Sequence, residues 1–203
     1  MTFNYPNGQP YTGPKRTAKS SLSLGTSNRG MTLEGDINVA NQYYLETGRA
    51  VIHKKPTPIQ IVKVNYPERA AAKITEAYFT QASTTDYNGL YSGRYIDFDA
   101  KETANKQSFP LKNVHAHQVA HLRQIHTQHG LAVFIIRFTA RQETFVIPAT
   151  LLFQYWDNQE NGRKSIPYDA FVEHGVLVTP GLQIQAPYLD AIDQLLAKGE
   201  QNG

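Results

Sequence analysis

The stretch STTDYNGLYSGRYIDFDAKET, residues Ser83–Thr103, decides how the chain is read. Its second half alternates, and alternation at period two marks a strand whose faces meet different environments. Tyr95, Asp97, Asp99 and Lys101 share one face, and Ile96, Phe98 and Ala100 share the other. Asn88-Gly89 and Gly93 are turn signals, so a further acid, Asp86, is brought back toward the strand. Acids and a lysine gathered in this way suit a cation and a phosphate. The polar, solvated face of an edge strand carries the same pattern.

Upstream of this stretch, Thr2 to about Asn28 is rich in Ser, Thr, Gly, Pro and Asn. Such composition predicts a flexible arm. Residues 1–33 hold Lys15, Arg16, Lys19 and Arg29 and no acid, which suits an arm lying near a polyanion. Order is expected to begin near Gly30. Thr32 reads as an N-cap, with Leu33, Ile37, Ala40 and Tyr44 at helical spacing and Gly48 closing the helix. Gly35 stands where a capping box wants Glu or Gln, so the helix start should be weak.

Ala50 to Lys55 reads as a short strand, interrupted by Pro56-Thr57-Pro58 and resumed from Ile59 to Tyr66. The Ala-rich segment from Arg69 to Phe79 predicts a helix. Lys54, Lys55, Lys63, Arg69 and Lys73 make residues 54–73 basic, with Glu68 the single acid. An excursion over about 54–79 could project from the body, although lysines also guard ordinary exposed edges.

Beyond the opening stretch, Asn105 to Lys112 reads as a loop and about Asn113 to Gln128 as a helix capped by Asn113. Its apolar stripe of Val114, Leu122 and Ile125 is broken by Gln118, and an inward-facing glutamine must be paired or directed at something. Leu131 to Phe138 is a nearly continuous apolar run, the mark of a central strand, and Thr144 to Ile147 pairs with it. Ala149 to Trp156 is expected as a helix, 158–164 as a polar loop, Val176 to Thr179 as a short strand and Tyr188 to Lys198 as a closing helix. The reading is one α/β or α+β domain with a mixed sheet.

Composition narrows the classes. The 203 residues contain no cysteine, which excludes disulfides and thiolate zinc. No apolar run approaches the ~20 residues that span a bilayer, and the first residues lack a signal-peptide core. A cytoplasmic location without membrane attachment is the expectation. The net charge of +3 fits an anionic partner. His117 and His121 at i, i+4 could share a zinc, but no HExxH glutamate accompanies them.

Thr84 and Asp86, two apart, present oxygens on one face if extended, and Asp86 and Asp99 could meet across a hairpin. Two carboxylates with neutral oxygens are what a hard cation such as Mg²⁺ accepts. A lysine two residues after one acid puts positive charge beside the same phosphate. Asp86, twelve residues and Asp99-Ala100-Lys101 resemble the PD-(D/E)xK nuclease signature. More specific are Arg29–Glu34 (RGMTLE), Ala50–Ile59 (AVIHKKPTPI), Ser83–Gly89 (STTDYNG) and Lys101–Thr103 (KET), which together resemble RecU, the Holliday-junction resolvase family of Gram-positive bacteria.

The resemblance implies a restriction-endonuclease-like mixed β-sheet core flanked by helices, with a projecting stalk and assembly as a homodimer. It implies a nuclease domain over 29–203, a basic arm over 1–28 and a stalk over about 54–79. It makes Asp86 and Asp99 metal-binding carboxylates, adds Thr84 and Gln118 to the metal site, and makes Lys101 the catalytic lysine. The family usually carries Glu where this chain has Asp99. Arg29, Lys54, Lys55, Lys63, Arg69 and Lys73 are candidate DNA contacts. The implied activity is Mg²⁺-dependent resolution of four-way DNA junctions by paired nicks in recombination and repair, with Mn²⁺ as a substitute. Recombinase and branch-migration proteins are the implied partners. A non-catalytic junction-binding protein and a general duplex nuclease are the alternatives.

Overall fold

The structure is a computed structural model and describes residues 32–65, 72–80 and 84–201. The basic arm at 1–28, Arg29 and Arg69 lie outside the described residues.

The described residues open with helix α1 (Leu33–Glu46), whose N-cap Thr32 accepts from the Gly35 N–H at 3.2 Å. The missing capping-box acid is replaced from far away in sequence. Glu102 accepts from the Leu33 N–H at 2.8 Å, so one otherwise unpaired helix-terminal donor is satisfied by a carboxylate that also favours the positive helix end. Strand β1 (Ala50–Lys54) follows, then an exposed ribbon of β2 (Ile59–Asn65) and β3 (Lys73–Phe79), paired antiparallel with register shifts on either side of Lys63.

Strands β4 (Tyr87–Tyr91) and β5 (Arg94–Thr103) form a hairpin in which Asn88 faces Asp97 and Tyr87 faces Phe98. The short β6 (Ser108–Pro110) and one 3₁₀ turn (Leu111–Asn113) lead to helix α2 (Ala116–Thr127). Strands β7 (Leu131–Phe138) and β8 (Glu143–Pro148), helix α3 (Ala149–Asp157), strand β9 (Ser165–Pro167), helix α4 (Tyr168–His174), strand β10 (Val176–Leu177) and helix α5 (Tyr188–Gln201) complete it.

The six-stranded sheet runs β1-β4-β5-β7-β8-β10, with one parallel join, β5 to β7, and antiparallel pairing elsewhere. A parallel join needs a crossover, and the segment holding α2 supplies it. Each face of the sheet has its own core. On one, Ile37, Tyr44, Tyr188 and Ile192 of α1 and α5 pack against Ile96, Phe98, Val133 and Ile135. On the other, Val119, Leu122, Leu152 and Phe171 of α2, α3 and α4 pack against Phe134, Ile136 and Ile147. This is a mixed sheet flanked by helices on both faces, as expected. The alternation in β5 therefore sends Ile96 and Phe98 into the first core and Asp97 and Asp99 toward α2. The solvated-face reading fails, because both acids are wholly buried.

Several local expectations are corrected. The segment from Arg69 was read as a helix, yet Lys73–Phe79 is a strand. Its β-branched Ile74 and Thr75 and aromatic Tyr78 and Phe79 suit a pleated strand, and pairing with β2 overrides the alanine signal. Helix α2 starts at Ala116 rather than Asn113, because Val114 and His115 are extended, with ψ of 140° and 145°. Within the expected loop 105–112, Ser108–Pro110 pairs with Ser165–Pro167. That second strand and α4 had not been anticipated.

Of the two turn signals, Asn88-Gly89 lies inside β4, whereas Gly93 sits at the reversal with Ser92, with φ of 73° and 48°. The reason Gly89 is glycine is proximity. A Cβ there would stand 2.0 Å from the Val51 carbonyl oxygen of β1. Gly89→Ala should therefore force β1 and β4 apart and destabilise the protein by roughly 3 kcal/mol, about 6–12 °C in melting temperature. A thermal melt checks this, and an unchanged melting temperature would contradict the close approach.

Candidate active site

The β4–β5 register brings Asp86, the residue just before β4, level with Asp99, since Tyr87 already faces Phe98. Lys101 lies two residues along the same face of β5. Its Nζ is hydrogen-bonded to Asp99 Oδ1 and 3.6 Å from Asp86 Oδ2. The fourth group comes from α2. Gln118 donates from Nε2 to Asp99 Oδ2. The polar break in the α2 stripe is thus a buried carboxamide directed at the second acid.

Exposure separates the two acids. The Asp99 side chain is 0% exposed and that of Asp86 is 46% exposed, so one is fixed within the protein and the other opens to solvent. Burial pushes the Asp99 carboxyl up to about 6; Lys101 opposes the shift and Asp86 adds to it.

Thr84 is placed differently. Its hydroxyl donates to the Thr85 carbonyl at 3.4 Å, and it lines a cleft of about 460 Å³ with Asp86, Lys54 and Lys55 rather than touching Asp99. Thr85, between Thr84 and Asp86, is buried and donates to Asp97. Lys54 pairs with Glu34 at 2.5 Å, and Lys55 with Asp97 at 2.9 Å. Lys63 and Lys73 stand on the exposed ribbon.

The zinc reading gains nothing from the geometry. His121 Nε2 lies 3.0 Å from Asp97 Oδ2, while the His117 ring stacks on His115 with centroids 5.4 Å apart. Among the described residues no three His, Cys, Asp or Glu side chains are gathered around a common point for a cation. His117 nevertheless feels the site: burial, His115 and Lys101 lower its pKa, and Asp86 raises it.

Two carboxylates, a carboxamide and a nearby hydroxyl form an oxygen-rich donor set, the chemistry of a hard divalent cation beside a phosphate. Gln118 fits with one condition. Its Oε1 accepts from the His115 N–H at 3.1 Å, so it must turn end for end to offer oxygen at Asp99. The arrangement has the chemistry to hold a hard cation beside a phosphate.

The comparisons make this specific. The sequence profile described as "Recombination protein U" matches residues 28–194, and the chain belongs to that family. A protein of Levilactobacillus brevis named Holliday junction resolvase RecU is 53% identical over 201 residues, covering 97% of this chain and 100% of the relative. Relatives of the same name from Oceanobacillus iheyensis and Geobacillus kaustophilus are 53% and 52% identical, covering 95% and 96% of this chain and 99% and 98% of theirs. A solved structure of Archaeoglobus fulgidus Hjc, a Holliday junction resolvase, is 10% identical with a TM-score of 0.38, covering 68% of this chain and 93% of that one.

A raised carboxyl pKa has a definite sign. Folded Asp99 keeps its proton between about pH 4 and 6, where the unfolded chain has lost it, so its contribution to stability falls as pH rises through that window. In EDTA at about pH 7.5, Asp99→Asn should therefore melt higher than the parent, by about 2 kcal/mol or roughly 4–8 °C. The gap should narrow to roughly half near pH 5 and close only below about pH 4. Melting curves at both pH values decide it; a variant that melts lower at both would show that the charged acid stabilises the fold.

Proposed function

We propose that the protein is a divalent-metal-dependent endonuclease that resolves four-way DNA junctions by nicking two opposing strands. The observation that carries this reading is the convergence of Asp86, Asp99, Lys101 and Gln118 in a chain about half identical to full-length relatives named as Holliday junction resolvases. Mg²⁺ is the proposed cofactor, with Mn²⁺ able to replace it, because the donors are oxygens.

Asp86, Asp99 and the turned Gln118 would hold the cation, with Thr84 beside Asp86 in the cleft that Asp86 borders. When bound, the metal offsets phosphate charge and makes water a better nucleophile. Lys101 supplies a fixed positive charge where charge develops on the phosphate, and its ion pairs to both acids keep it there beforehand. Asp99, closed off from water, holds its carboxylate in one orientation, while the more exposed Asp86 leaves an opening for the DNA strand. The products of each cut are a 5′-phosphate and a 3′-hydroxyl.

Each chain supplies one such cluster and two strands are cut, so a two-fold homodimer matches the junction's symmetry. The exposed β2–β3 ribbon, with Lys63 and Lys73, is the proposed stalk, and the segment at 1–28 and Arg29 a further basic contact. Recognition through phosphates and shape weakens with salt. Recombinase and branch-migration proteins are the proposed partners in a cytoplasmic setting.

Incubating a labelled mobile junction, a duplex and a single strand with Mg²⁺ and then with EDTA tests the reading. Paired nicks confined to the junction and dependent on metal are expected. Binding without cleavage would point to an architectural protein, and equal cutting of duplex to a general nuclease. Lys101→Ala should lower junction nicking by at least ~100-fold while leaving junction affinity in EDTA within a few-fold of the parent. Undiminished nicking would remove Lys101 from the chemistry.

A further inference from the structure

Asp97 is the second wholly buried acid on the α2-facing side of β5, and the chemistry above makes no use of it. Four side chains converge on its carboxylate. Lys55 Nζ, Tyr95 OH and His121 Nε2 lie 2.9, 3.0 and 3.0 Å from Oδ2, and the Thr85 hydroxyl donates to Oδ1. Lys55 also donates to the Thr85 hydroxyl at 3.0 Å. Among the described residues no buried side-chain polar atom is left unpaired, so this node is satisfied as well as buried.

What these four groups have in common is their attachment. Lys55 follows β1 at the root of the ribbon, and its backbone N–H donates to the Asp86 carbonyl at 2.7 Å. Thr85 is the residue before Asp86. His121 lies three residues after Gln118 on α2, which places both on the side of the helix that meets β5. Tyr95 and Asp97 precede Asp99 on its own strand face. Each group that would hold the cation is therefore tied, one short step away, to the same carboxylate.

We propose that Asp97 is a positioning residue for the cation site, using Lys55 and Thr85 to fix Asp86 and His121 to fix the helix that carries Gln118. This rests on the metal-dependent reading of Asp86, Asp99 and Gln118. A carboxylate that grips the supports of metal ligands from behind sets their spacing, and removing such supports typically costs about 10–100-fold in metal affinity or activity. The alternative is that Asp97 only neutralises Lys55 and holds the fold. That alternative predicts changes in melting temperature without changes in metal affinity.

The discriminating measurement is Mn²⁺ binding to the full-length protein by electron paramagnetic resonance, which needs no turnover, together with the Mn²⁺ dependence of junction nicking. His121→Ala should raise the Mn²⁺ dissociation constant, and the Mn²⁺ concentration for half-maximal nicking, by at least ~10-fold, with a smaller effect on the rate at saturating metal. His121→Gln, which retains a donor able to reach the carboxylate, should recover much of the loss. Tyr95→Phe should weaken binding in the same direction by less, and Asp97→Asn by the most. If Asp97→Asn fails to fold, the His121 pair still decides.

Mn²⁺ affinities within about twofold of the parent for His121→Ala and Tyr95→Phe, whatever their melting temperatures, would overturn the proposal. Asp99→Asn serves as the control that must abolish Mn²⁺ binding. If it does not, the cation-site reading itself falls, and the positioning role with it.

Discussion

Two carboxylates without solvent exposure, side by side on one strand face, are the constraint on which the rest of this structure depends. A buried charge costs several kcal/mol unless neighbouring groups compensate it. Asp99 draws Lys101 and Gln118, and Asp97 draws Lys55, Thr85, Tyr95 and His121. These donors come from the end of β1, the segment before β4, β5 itself and α2. The seating of α2 on the sheet and the root of the ribbon thus rest on polar contacts as well as on the apolar core. On the opposite face of the sheet Glu102 performs a comparable service for α1.

The two acids are not treated alike. Asp97 has four side-chain donors, enough to satisfy a carboxylate, whereas Asp99 faces a second acid as well as a lysine and a carboxamide. That difference leaves Asp97 fully paired and keeps Asp99 beside a second, partly exposed acid. Perturbed carboxyl groups gather where a fold keeps charge ready for chemistry. The more exposed Asp86 sits between this interior and the cleft that runs beside Lys54 and Lys55.

Much of this was legible in the residues. Period-two alternation in Tyr95–Lys101 assigned both faces of β5, and the hydrophilic break at Gln118 marked a side chain with a task. The register that sets Asp86 level with Asp99 followed from a hairpin reversal, even though the reversal lies at Ser92-Gly93 and not at Asn88-Gly89. Other features depend on contacts that no local pattern encodes. Gly89 is glycine because another strand passes against it, and β3 is a strand because β2 pairs with it despite the alanines before it. The three-residue strands β6 and β9 are too short to show a period. Asp97 could be placed on the correct face, but its donors lie up to 42 residues away in sequence, and only folding assembles them.

Among the described residues, the ribbon of β2 and β3 pairs with no third strand. Ile59, Ile61, Val62, Ile74, Tyr78 and Phe79 are all about half exposed or more. Apolar strands with open edges pair readily with copies of themselves, and the charged Lys63, Lys73 and Glu76 along this ribbon oppose such pairing. Added salt screens those lysines as effectively as it loosens a hold on phosphates. If the ribbon grips DNA as proposed, salt that loosens that grip also screens the charges that keep one ribbon from pairing with another.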